Sequence, residues 1–414
     1  MGELRFPKGF VWGVATSSHQ IEGGNNNDWT EWEKRAGHPP KVVPSGEAAD
    51  HWHRYADDYQ FISDMNLSGY RFSIEWSRIE PRPGEFNAEA IAHYGKMLAE
   101  LKKRGITPMV TLHHFTSPLW IENLGGWADP RTVDHFVRFA TKVIESFGSG
   151  VTFWITLNEP SVQSGLGYMV GIFPPGRKDL LRYWHARRNM LDAHRAVYRL
   201  AHKTYKQRGW PEPQVSFAHH MTYVEPANPG SVLDRLCSRV YDYINNSYFL
   251  SHSKGYMDFV GVNYYFYRRV HFHLGGPLFI MAEAPVPDAP ASDLGWQVVP
   301  GGLYSLCKTV SGYGLPIYIT ENGLADSSDR LRPWSIVHHA RAIHRAIFEG
   351  VDVRGYFHWT LIDSFEWENG YGFRYGLVAV DYATQKRTPR GSARLYGEIG
   401  AGNAISAEMM EKYS

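Results

Sequence analysis

Short apolar runs and longer amphipathic stretches alternate along the whole chain. Eight of the runs are apolar almost throughout, which is typical of parallel strands that are buried on both faces. These predicted strands are Phe10–Thr16, Tyr70–Ile74, Thr107–His113, Phe153–Leu157, Gln214–Ala218, Asp258–Asn263, Pro316–Thr320 and Gly355–Leu361. Helical patterns between them are predicted at Ala48–Asn66, Ala88–Arg104, Pro130–Phe147, Leu180–Arg208 and Pro333–Glu349.

Eight strand–helix alternations predict an α/β fold, a (β/α)8 barrel (TIM barrel) with its active site at the C-terminal ends of the strands. A doubly wound open sheet is the main alternative, but no glycine-rich phosphate loop follows the first strand. No low-complexity linker divides the chain, so residues 1–414 are interpreted as one barrel domain. The Gly/Pro-rich stretch Leu274–Pro300 is interpreted as a loop over the barrel mouth.

Composition narrows the functional class. The chain has 414 residues, of which 43% are hydrophobic, so it can bury a large core. Its net charge is +1 and no stretch is rich in Lys and Arg, so nucleic acid and anionic membranes are not expected as partners. No apolar stretch reaches the roughly 18 residues of a membrane span. The oligomeric state has no signal in the sequence.

The expected location is cytoplasmic. The N-terminus lacks a charged leader followed by an apolar run, so we expect no signal peptide. The chain has only two cysteines, Cys237 and Cys307, which we interpret as free thiols in a reducing compartment. Aromatic residues make up 14% of the chain. Most must pack in the core, but some could line a cleft, because flat rings suit the apolar faces of sugars.

Two glutamates stand where apolar strands end. Glu159 lies in Thr-Leu-Asn-Glu-Pro and Glu321 lies in Ile-Thr-Glu-Asn-Gly. Each motif ends in a residue that interrupts regular secondary structure, Pro160 or Gly323. Barrel enzymes keep their chemistry at strand ends. A pair of carboxylates that converge in space is what glycoside hydrolysis needs, since one protonates the leaving oxygen and the other attacks the sugar or activates water.

The surroundings of the two glutamates suggest their roles. Glu321 is assigned as the nucleophile, because a cation such as Arg71 could hold it ionised by lowering its pKa. Glu159 is assigned as the acid/base, because a neighbouring negative charge and partial burial raise a pKa. We predict a carboxyl separation near 5–5.5 Å and hence retention of anomeric configuration, as opposed to roughly 6.5–9.5 Å for inversion. No cofactor is required.

The chain resembles glycoside hydrolase family 1, the retaining β-glucosidase and β-galactosidase barrel family. The resemblance extends nearly from end to end, from Phe-Val-Trp-Gly-Val-Ala-Thr-Ser-Ser-His-Gln-Ile-Glu-Gly (10–23) to Phe-Glu-Trp-Glu-Asn-Gly-Tyr-Gly-Phe-Arg-Tyr-Gly (365–376). It implies a sugar-binding set comprising Gln20, His114, Asn158, Asn263, Tyr265, Trp359, Glu366 and Trp367.

Within this set, the resemblance implies particular roles. Gln20 and Glu366 would bind the outer hydroxyls with Trp367 beside them, and Trp359 would form the platform under the sugar ring. His114 would contact the sugar next to Asn158.

At the reacting end, Asn158 would hydrogen-bond the 2-hydroxyl, an interaction that strengthens in the transition state. Asn263 and Tyr265 would support the site, with the Tyr265 hydroxyl touching the nucleophile Glu321.

The expected substrates are small β-glycosides and oligosaccharides. The implied activity is that of a retaining exo-β-glycosidase that removes terminal non-reducing β-D-glycosyl residues through a covalent intermediate, with transglycosylation left open. A carboxylate at Glu366 could bridge O4 and O6, which would allow glucoside, galactoside and fucoside activity together. It would also repel a 6-phosphate, so phosphorylated sugars are disfavoured.

The chain departs from the family pattern at the cavity wall. Phe115–Pro118 replaces the usual Trp-Asp-Leu-Pro after His114. Ser161 replaces a larger side chain that often contacts the aglycone and, together with Trp296 and Gly167–Phe173, suggests an open plus-side subsite. The aglycone preference is left open.

Two alternatives belong to other classes. Twenty histidines, with pairs such as His113/His114 and His219/His220 near strand ends, allow a metal-dependent barrel hydrolase. In a metal-dependent barrel hydrolase we would expect a His-x-His pair on the first strand, and the predicted strand Phe10–Thr16 has none. The cluster at His338, His339 and His344 is interpreted as a solvated helix face. A non-catalytic sugar-binding barrel is the second alternative, although such proteins normally arise by loss of a catalytic glutamate.

Overall fold

A computed structural model describes residues 2–35, 43–275, 282–284 and 289–414. Eight strands form the central sheet: β1 (Val11–Ala15), β2 (Gly69–Ser73), β3 (Thr107–Thr111), β4 (Phe153–Asn158), β5 (Gln214–Pro226), β6 (Val260–His271), β7 (Ile317–Asn322) and β8 (Val353–Trp359). Each is parallel to the next, and β8 pairs with β1, so the sheet closes on itself. The predicted (β/α)8 barrel is therefore confirmed.

Helices alternate with the strands around the outside of the barrel. The α-helices are Ser18–Ile21, Asp28–Glu33, His51–Asp64, Trp76–Ile79, Ala88–Lys103, Leu119–Leu124, Arg131–Phe147, Pro160–Ser164, Leu180–Arg208, Val232–Asp242, Tyr248–His252, Pro300–Val310, Arg332–Phe348, Gly391–Gly402 and Ala407–Lys412. Short 3₁₀ turns are Gly126–Ala128, Gly148–Gly150, Ser311–Tyr313 and Trp367–Asn369. Two segments, Gly165–Val170 and Tyr243–Ser247, are π-helical.

Apolar side chains fill the barrel interior in layers, so it is a packed core and not a channel. Ala15, Met109, Ile155, Ala218 and Phe357 point into this interior cluster. The opposite faces of the strands pack against the outer helices in a second, larger cluster. Burial on both faces explains why the strands are readable from the sequence as continuous apolar runs.

Strands β5 and β6 are longer than the sequence predicts. Beyond the barrel rim they continue to pair with each other, with Thr222 opposite Phe266 and Pro226 opposite Val270. A short strand, Ala282–Ala284, adds antiparallel to the end of β6. The predicted mouth loop Leu274–Pro300 is thus partly a sheet extension, although its residues 276–281 and 285–288 lie outside the described residues.

The two ends of the described chain meet on the far side of the barrel from the strand C-termini. Leu4–Arg5 pairs antiparallel with Ala404–Ile405, and a separate hairpin joins Val378–Asp381 to Lys386–Pro389. Cys237 and Cys307 are buried and free. Among the described helices, none has the length and apolar character needed to cross a membrane.

Candidate active site

A cavity of about 820 Å³ opens at the C-terminal ends of the barrel strands. Nine of the eleven predicted site residues line it: Gln20, His114, Asn158, Glu159, Tyr265, Glu321, Trp359, Glu366 and Trp367. The other two, Arg71 and Asn263, are fully buried and contact lining residues from behind. The structure therefore brings the whole predicted set together.

Glu321 stands at the end of β7 between a cation and a hydroxyl. Arg71, on β2, donates to Glu321 Oε1 from Nη1, and Tyr265, on β6, donates to Oε2 at 2.8 Å. Arg71 is fixed in turn, since its Nη2 donates to Asn158 Oδ1 at 2.6 Å and its Nε donates to Thr111 Oγ1 at 3.2 Å. Both oxygens of the carboxylate are thus held by donors, one on the adjacent strand β6 and one on β2, which does not pair with β7, and this orients it with little freedom.

Glu159 follows β4 in a left-handed backbone conformation, with φ of 45°. A non-glycine residue in that region carries strain that the surrounding structure must hold, which is typical of functional sites. Pro160 begins the next helix immediately afterwards. Asn263 Nδ2 donates to Glu159 Oε1 at 2.8 Å, and His220 Nδ1 lies 3.5 Å from the same oxygen.

Asn158 connects the two glutamates. Its Oδ1 accepts from Arg71 and, at 3.0 Å, from Asn263, while its Nδ2 donates to His114 Nε2 at 3.2 Å. Arg71 contacts Glu321 and Asn263 contacts Glu159, so a short chain of hydrogen bonds joins the two carboxyl groups across the cavity floor. The floor is a preorganised polar network.

The family profile of glycosyl hydrolase family 1 matches this chain over residues 3–257 and 249–405, nearly its full length. The chain belongs to glycosyl hydrolase family 1. It is therefore a glycoside hydrolase, an enzyme that cleaves sugar–oxygen bonds.

Relatives of the same family cover the chain almost completely. Beta-glucosidase A of Thermotoga maritima is 34% identical over 98% of this chain and 100% of its own length. A beta-galactosidase of Sulfolobus acidocaldarius is 31% identical over 98% and 97%. Among solved structures, a beta-glycosidase from Pyrococcus horikoshii superposes with a TM-score of 0.93 at 38% identity, covering 100% of this chain and 98% of that one.

A Thermotoga maritima beta-glucosidase in complex with castanospermine has a TM-score of 0.89 at 32% identity, with 97% and 99% covered.

In this family 1 barrel, Glu366 and Gln20 form a second group of polar residues that line the cavity. Glu366 is buried beside Gln20 and accepts from Ser364 Oγ at 2.6 Å. Burial holds the pKa of Glu366 well above its usual value. Gln20 Nε2 donates to the backbone oxygen of Phe365 at 2.8 Å, which fixes the loop that carries Glu366.

Aromatic rings form one wall of the family 1 cavity. His114 stacks nearly parallel to Trp359 and Trp367, with ring centroids 5.7 and 6.1 Å apart. Burial holds the pKa of His114 well below its usual value, so the ring is neutral. Its Nδ1 is buried and has no hydrogen-bond partner among the residues that the structure describes. A ligand hydroxyl is a partner of the right kind.

The backbone of Trp359 is packed directly against the motif that carries Glu321. Gly323 closes that motif, and a Cβ atom at this position would lie 1.9 Å from the backbone oxygen of Trp359. A side chain at 323 would therefore push β7 and β8 apart. This contact explains the glycine in Ile-Thr-Glu-Asn-Gly.

The titration of the glutamate pair differs from the expectation. Burial raises the pKa of Glu321 to about 7, with Arg71 opposing the shift and the charge of Glu159 adding to it. Burial also raises the pKa of Glu159, but His220, the Asn263 hydrogen bond and Arg71 outweigh it and leave that pKa below its usual value. These directions are opposite to the expectation that Glu159 has the raised pKa and Glu321 the lowered one.

His220 is the residue that the sequence analysis missed. It lines the cavity from β5, two positions after Ala218, which points into the barrel interior. Because side chains alternate along a strand, His220 falls on the same face as Ala218, whereas His219 points outward and donates to the backbone oxygen of Asn246 at 2.8 Å. Extending the predicted strand by two residues would have found it.

The outer wall of the cavity is mostly apolar. Leu166, Met169, Val170 and Ile244 come from the two π-helical segments, which are rare elements that often occur at functional sites. From other parts of the chain, Phe115, Phe173, Phe266 and Trp296 complete this outer wall. The departures from the family pattern at Phe115 and Ser161 both line the cavity, as do Trp296 and part of Gly167–Phe173.

The histidine-rich segments do not gather at a common point. Within the described ranges, no group of three or more His, Cys, Asp and Glu side chains is arranged to hold a metal ion. The interpretation of His338, His339 and His344 as a solvated face is wrong for His339. That residue is buried, and its Nδ1 donates to the backbone oxygen of Ser335 at 2.8 Å.

Proposed function

We propose that this glycoside hydrolase is a retaining exo-β-glycosidase that releases terminal non-reducing β-D-glycosyl residues through a covalent glycosyl-enzyme intermediate. What supports the proposal most is that Glu159 and Glu321 line one cavity, each with a carboxylate oxygen that accepts a hydrogen bond from a side chain of β6. A carboxyl separation of about 5–5.5 Å is our prediction for this arrangement.

In the first half-reaction, Glu321 attacks the anomeric carbon while Glu159 gives its proton to the departing oxygen. Arg71 and Tyr265 aim the attacking carboxylate, since each donates to one of its oxygens. Asn158, held rigid by Arg71 and Asn263, faces the position next to the attacked carbon, where the 2-hydroxyl of a bound sugar belongs. A hydrogen bond there that strengthens in the transition state accelerates the step.

Substrate binding must move the proton of the glutamate pair from Glu321 to Glu159. The glycosidic oxygen can accept a hydrogen bond from Glu159 only when Glu159 is protonated, so the bound substrate favours that state. Arg71 and Tyr265 stabilise ionised Glu321 once the proton has left it. In the complex that precedes attack, the proton of the pair is therefore on Glu159, and Glu321 is ionised.

In the second half-reaction, Glu321 is an ester and carries no charge. Loss of that charge lowers the pKa of Glu159, which then accepts a proton from water as the water attacks the anomeric carbon. Attack by a second sugar hydroxyl in place of water would give transglycosylation. No cofactor enters either step.

We propose β-glucosides as the principal substrates, with β-galactosides and β-fucosides also accepted. Glu366 and Gln20 both line the cavity, and both side chains can exchange hydrogen bonds with O4 and O6 of a bound sugar. The names of the relatives, beta-glucosidase and beta-galactosidase, support this range. Structures of the Thermotoga maritima enzyme with castanospermine and deoxynojirimycin support binding of small sugar-like molecules.

Trapping with a 2-deoxy-2-fluoro-β-glucosyl fluoride tests the proposal. The intact mass should rise by one fluoroglucosyl group, the label should map to Ile317–Asn322, and Glu321→Gln should abolish labelling. Proton NMR of the first product from an aryl β-glucoside should show the β-anomer. Appearance of the α-anomer first, or a label elsewhere, would contradict the mechanism.

EDTA should leave turnover unchanged, whereas activity lost to EDTA and restored by zinc would favour the metal-dependent alternative.

Two broader expectations stay with the proposal. Residues 1–414 form a single catalytic domain, which is supported by the pairing of Leu4–Arg5 with Ala404–Ile405. The protein is cytoplasmic, which is supported by the free thiols of Cys237 and Cys307.

A further inference from the structure

His220 has no part in the mechanism derived above, yet it touches the acid/base residue. Its Nδ1 lies 3.5 Å from Glu159 Oε1, on the side of that carboxyl facing β5. Both side chains line the same cavity and are largely buried. A ring nitrogen at that distance, in a site with little water, interacts with a carboxylate far more strongly than it would in solution.

The ring of His220 is held on three sides. Its Nε2 lies 3.4 Å from Thr222 Oγ1, and its plane is nearly parallel to that of Tyr265, with centroids 6.5 Å apart. The edge of Phe266 packs against it at 5.4 Å. These contacts direct Nδ1, and not the open edge of the ring, toward Glu159. Thr222 can donate to Nε2, which leaves the ring proton on Nδ1.

Other charged and titratable groups surround this pair. Arg71 and Glu321 act on Glu159 from β2 and β7, and the buried His219 precedes His220 on β5. The remaining titratable side chains that line the same cavity are His114, Lys178, Tyr183, Tyr241, Tyr265, Arg268, Glu366, Glu368 and Tyr375. Among the ion pairs of the described chain, the contact from His220 Nδ1 is the shortest that the nitrogen of any of these side chains makes with Glu159.

We propose that His220 is a positioning residue that keeps Glu159 ionised during the second half-reaction. This inference rests on the proposed function. A neutral ring with its proton on Nδ1 and a protonated ring both favour the carboxylate form of Glu159, so the direction of the effect does not depend on the charge of His220.

The second half-reaction is where this matters. Once Glu321 is esterified, Glu159 must be ionised to accept a proton from water. With His220 beside it, the carboxylate persists to lower pH, and the enzyme turns over the intermediate in more acidic solution. In the first half-reaction the same contact opposes protonation of Glu159, and hydrogen bonding to the bound substrate must overcome it.

The test uses His220→Asn and 2,4-dinitrophenyl β-glucoside, whose leaving group departs without help from an acid. A pre-steady-state burst of dinitrophenolate shows that the second half-reaction limits kcat. The acidic limb of kcat then reports ionisation of Glu159 in the glycosyl-enzyme. We expect His220→Asn to move that limb upward by about one pH unit, which lowers kcat roughly tenfold at pH values below the limb.

His219→Asn is the matched control. It removes a histidine from the same strand whose ring packs outward against Phe217 and Phe249 and whose pKa burial lowers to about 3. Its acidic limb should stay where the wild-type limb is. His220→Gln separates charge from hydrogen bonding, because a glutamine amide can still donate to Glu159. If the acidic limb of kcat in His220→Gln lies at the wild-type pH, the effect comes from the donated hydrogen bond. If the limb is shifted in both His220→Asn and His220→Gln, the effect comes from the imidazole.

Identical acidic limbs in the wild type and both His220 variants would overturn the inference. Fluoroglucosyl labelling of Glu321 in each variant keeps the two proposals apart. If labelling occurs and the limb does not move, the retaining mechanism stands and the role of His220 falls. If labelling fails in the wild type, the proposed function itself is wrong.

Discussion

The floor and the outer wall of the cavity are built on different principles. The floor is formed by strand ends, and its side chains from Arg71 to Glu159 are joined by hydrogen bonds of 2.6–3.0 Å together with the Arg71–Glu321 contact. The wall comes from connecting segments and from the extension of β6, and it offers mainly apolar surface. Polar sites reject a ligand that lacks the matching group, whereas apolar pockets discriminate weakly. We therefore expect the barrel floor to determine which sugar is bound and cleaved, and the connecting segments to determine which aglycone is accepted.

Removing the nucleophile should break the floor completely. Glu321→Ala leaves no carboxylate for attack, so kcat for an aryl β-glucoside should fall by roughly 10⁵-fold or more. Glu225→Ala is the control, because that carboxylate lies on β5 outside the cavity and accepts from Tyr223 at 2.7 Å. Near-normal turnover by Glu321→Ala would mean that another residue attacks the sugar.

Removing the acid/base should have an effect that depends on the leaving group. Glu159→Ala should lower kcat/KM by about 10²–10⁴-fold for an alkyl glucoside, whose oxygen needs a proton to depart. For a dinitrophenyl glucoside kcat/KM should change little. The plot of log kcat/KM against leaving-group pKa measures the difference, and equal losses for both substrates would exclude Glu159 as the acid.

Arg71 tests whether the floor depends on its connections. Arg71→Met leaves Glu321 and Asn158 without their buried donor, at a cost of about 3–5 kcal/mol in folding stability, and kcat should fall by about 10²–10³-fold. Arg71→Lys keeps the positive charge but loses the forked guanidinium, so its stability and its kcat should lie between those of the wild type and Arg71→Met. Thermal unfolding and kcat report the two effects, and a Lys variant equal to wild type would show that the charge alone suffices.

A change of pH should alter the protonation of the floor glutamates, whereas the mainly apolar wall should not be affected. The glutamate pair holds one proton below about pH 7, and it loses that proton as pH rises through the pKa of Glu321, about 7. Above that value no acid remains, so kcat/KM for an alkyl glucoside should fall about tenfold per pH unit. A constant kcat/KM up to pH 9 would show that burial does not raise this pKa.

The smallest effect is expected at the wall. Phe266 packs on Trp296 with ring centroids 4.4 Å apart, and Phe266→Ala removes apolar surface worth about 1–2 kcal/mol. The KM for octyl β-glucoside should rise about tenfold, whereas kcat and the KM for methyl β-glucoside should not change. Phe348→Ala, at a residue 86% exposed on the outside of the barrel, is the control. Equal changes for both glucosides would place Phe266 in the floor.

The barrel was predictable because burial on both faces leaves each strand as a continuous apolar run. The predicted Phe153–Leu157 and Gln214–Ala218 start where β4 and β5 start, and each predicted strand overlaps an observed one. The site residues were predictable for a related reason, since strand ends converge in a barrel whatever the packing details. Motif resemblance supplied the identities of Gln20 and Glu366.

Features that depend on contacts between strands escaped prediction. The sheet extension beyond Ala218 depends on pairing with β6, whose residues at the rim mix aromatic with charged side chains and are mostly half-buried. The pKa order of the glutamates depends on the distance between His220 and Glu159, two side chains 61 positions apart. Neither distance nor register can be read from one chain without knowing which strands are neighbours.

At Gly323, the motif that carries Glu321, our proposed nucleophile, packs directly on the backbone of Trp359, our proposed sugar platform. A Cβ atom there would collide with the backbone of Trp359, so a larger residue at 323 would force the end of β7 away from β8. Directed-evolution libraries aimed at new sugars should therefore keep position 323 fixed and vary Gln20, Ser364 and Glu366. An alanine at 323 would displace nucleophile and platform in a single step, so no gradual path to altered selectivity runs through that position.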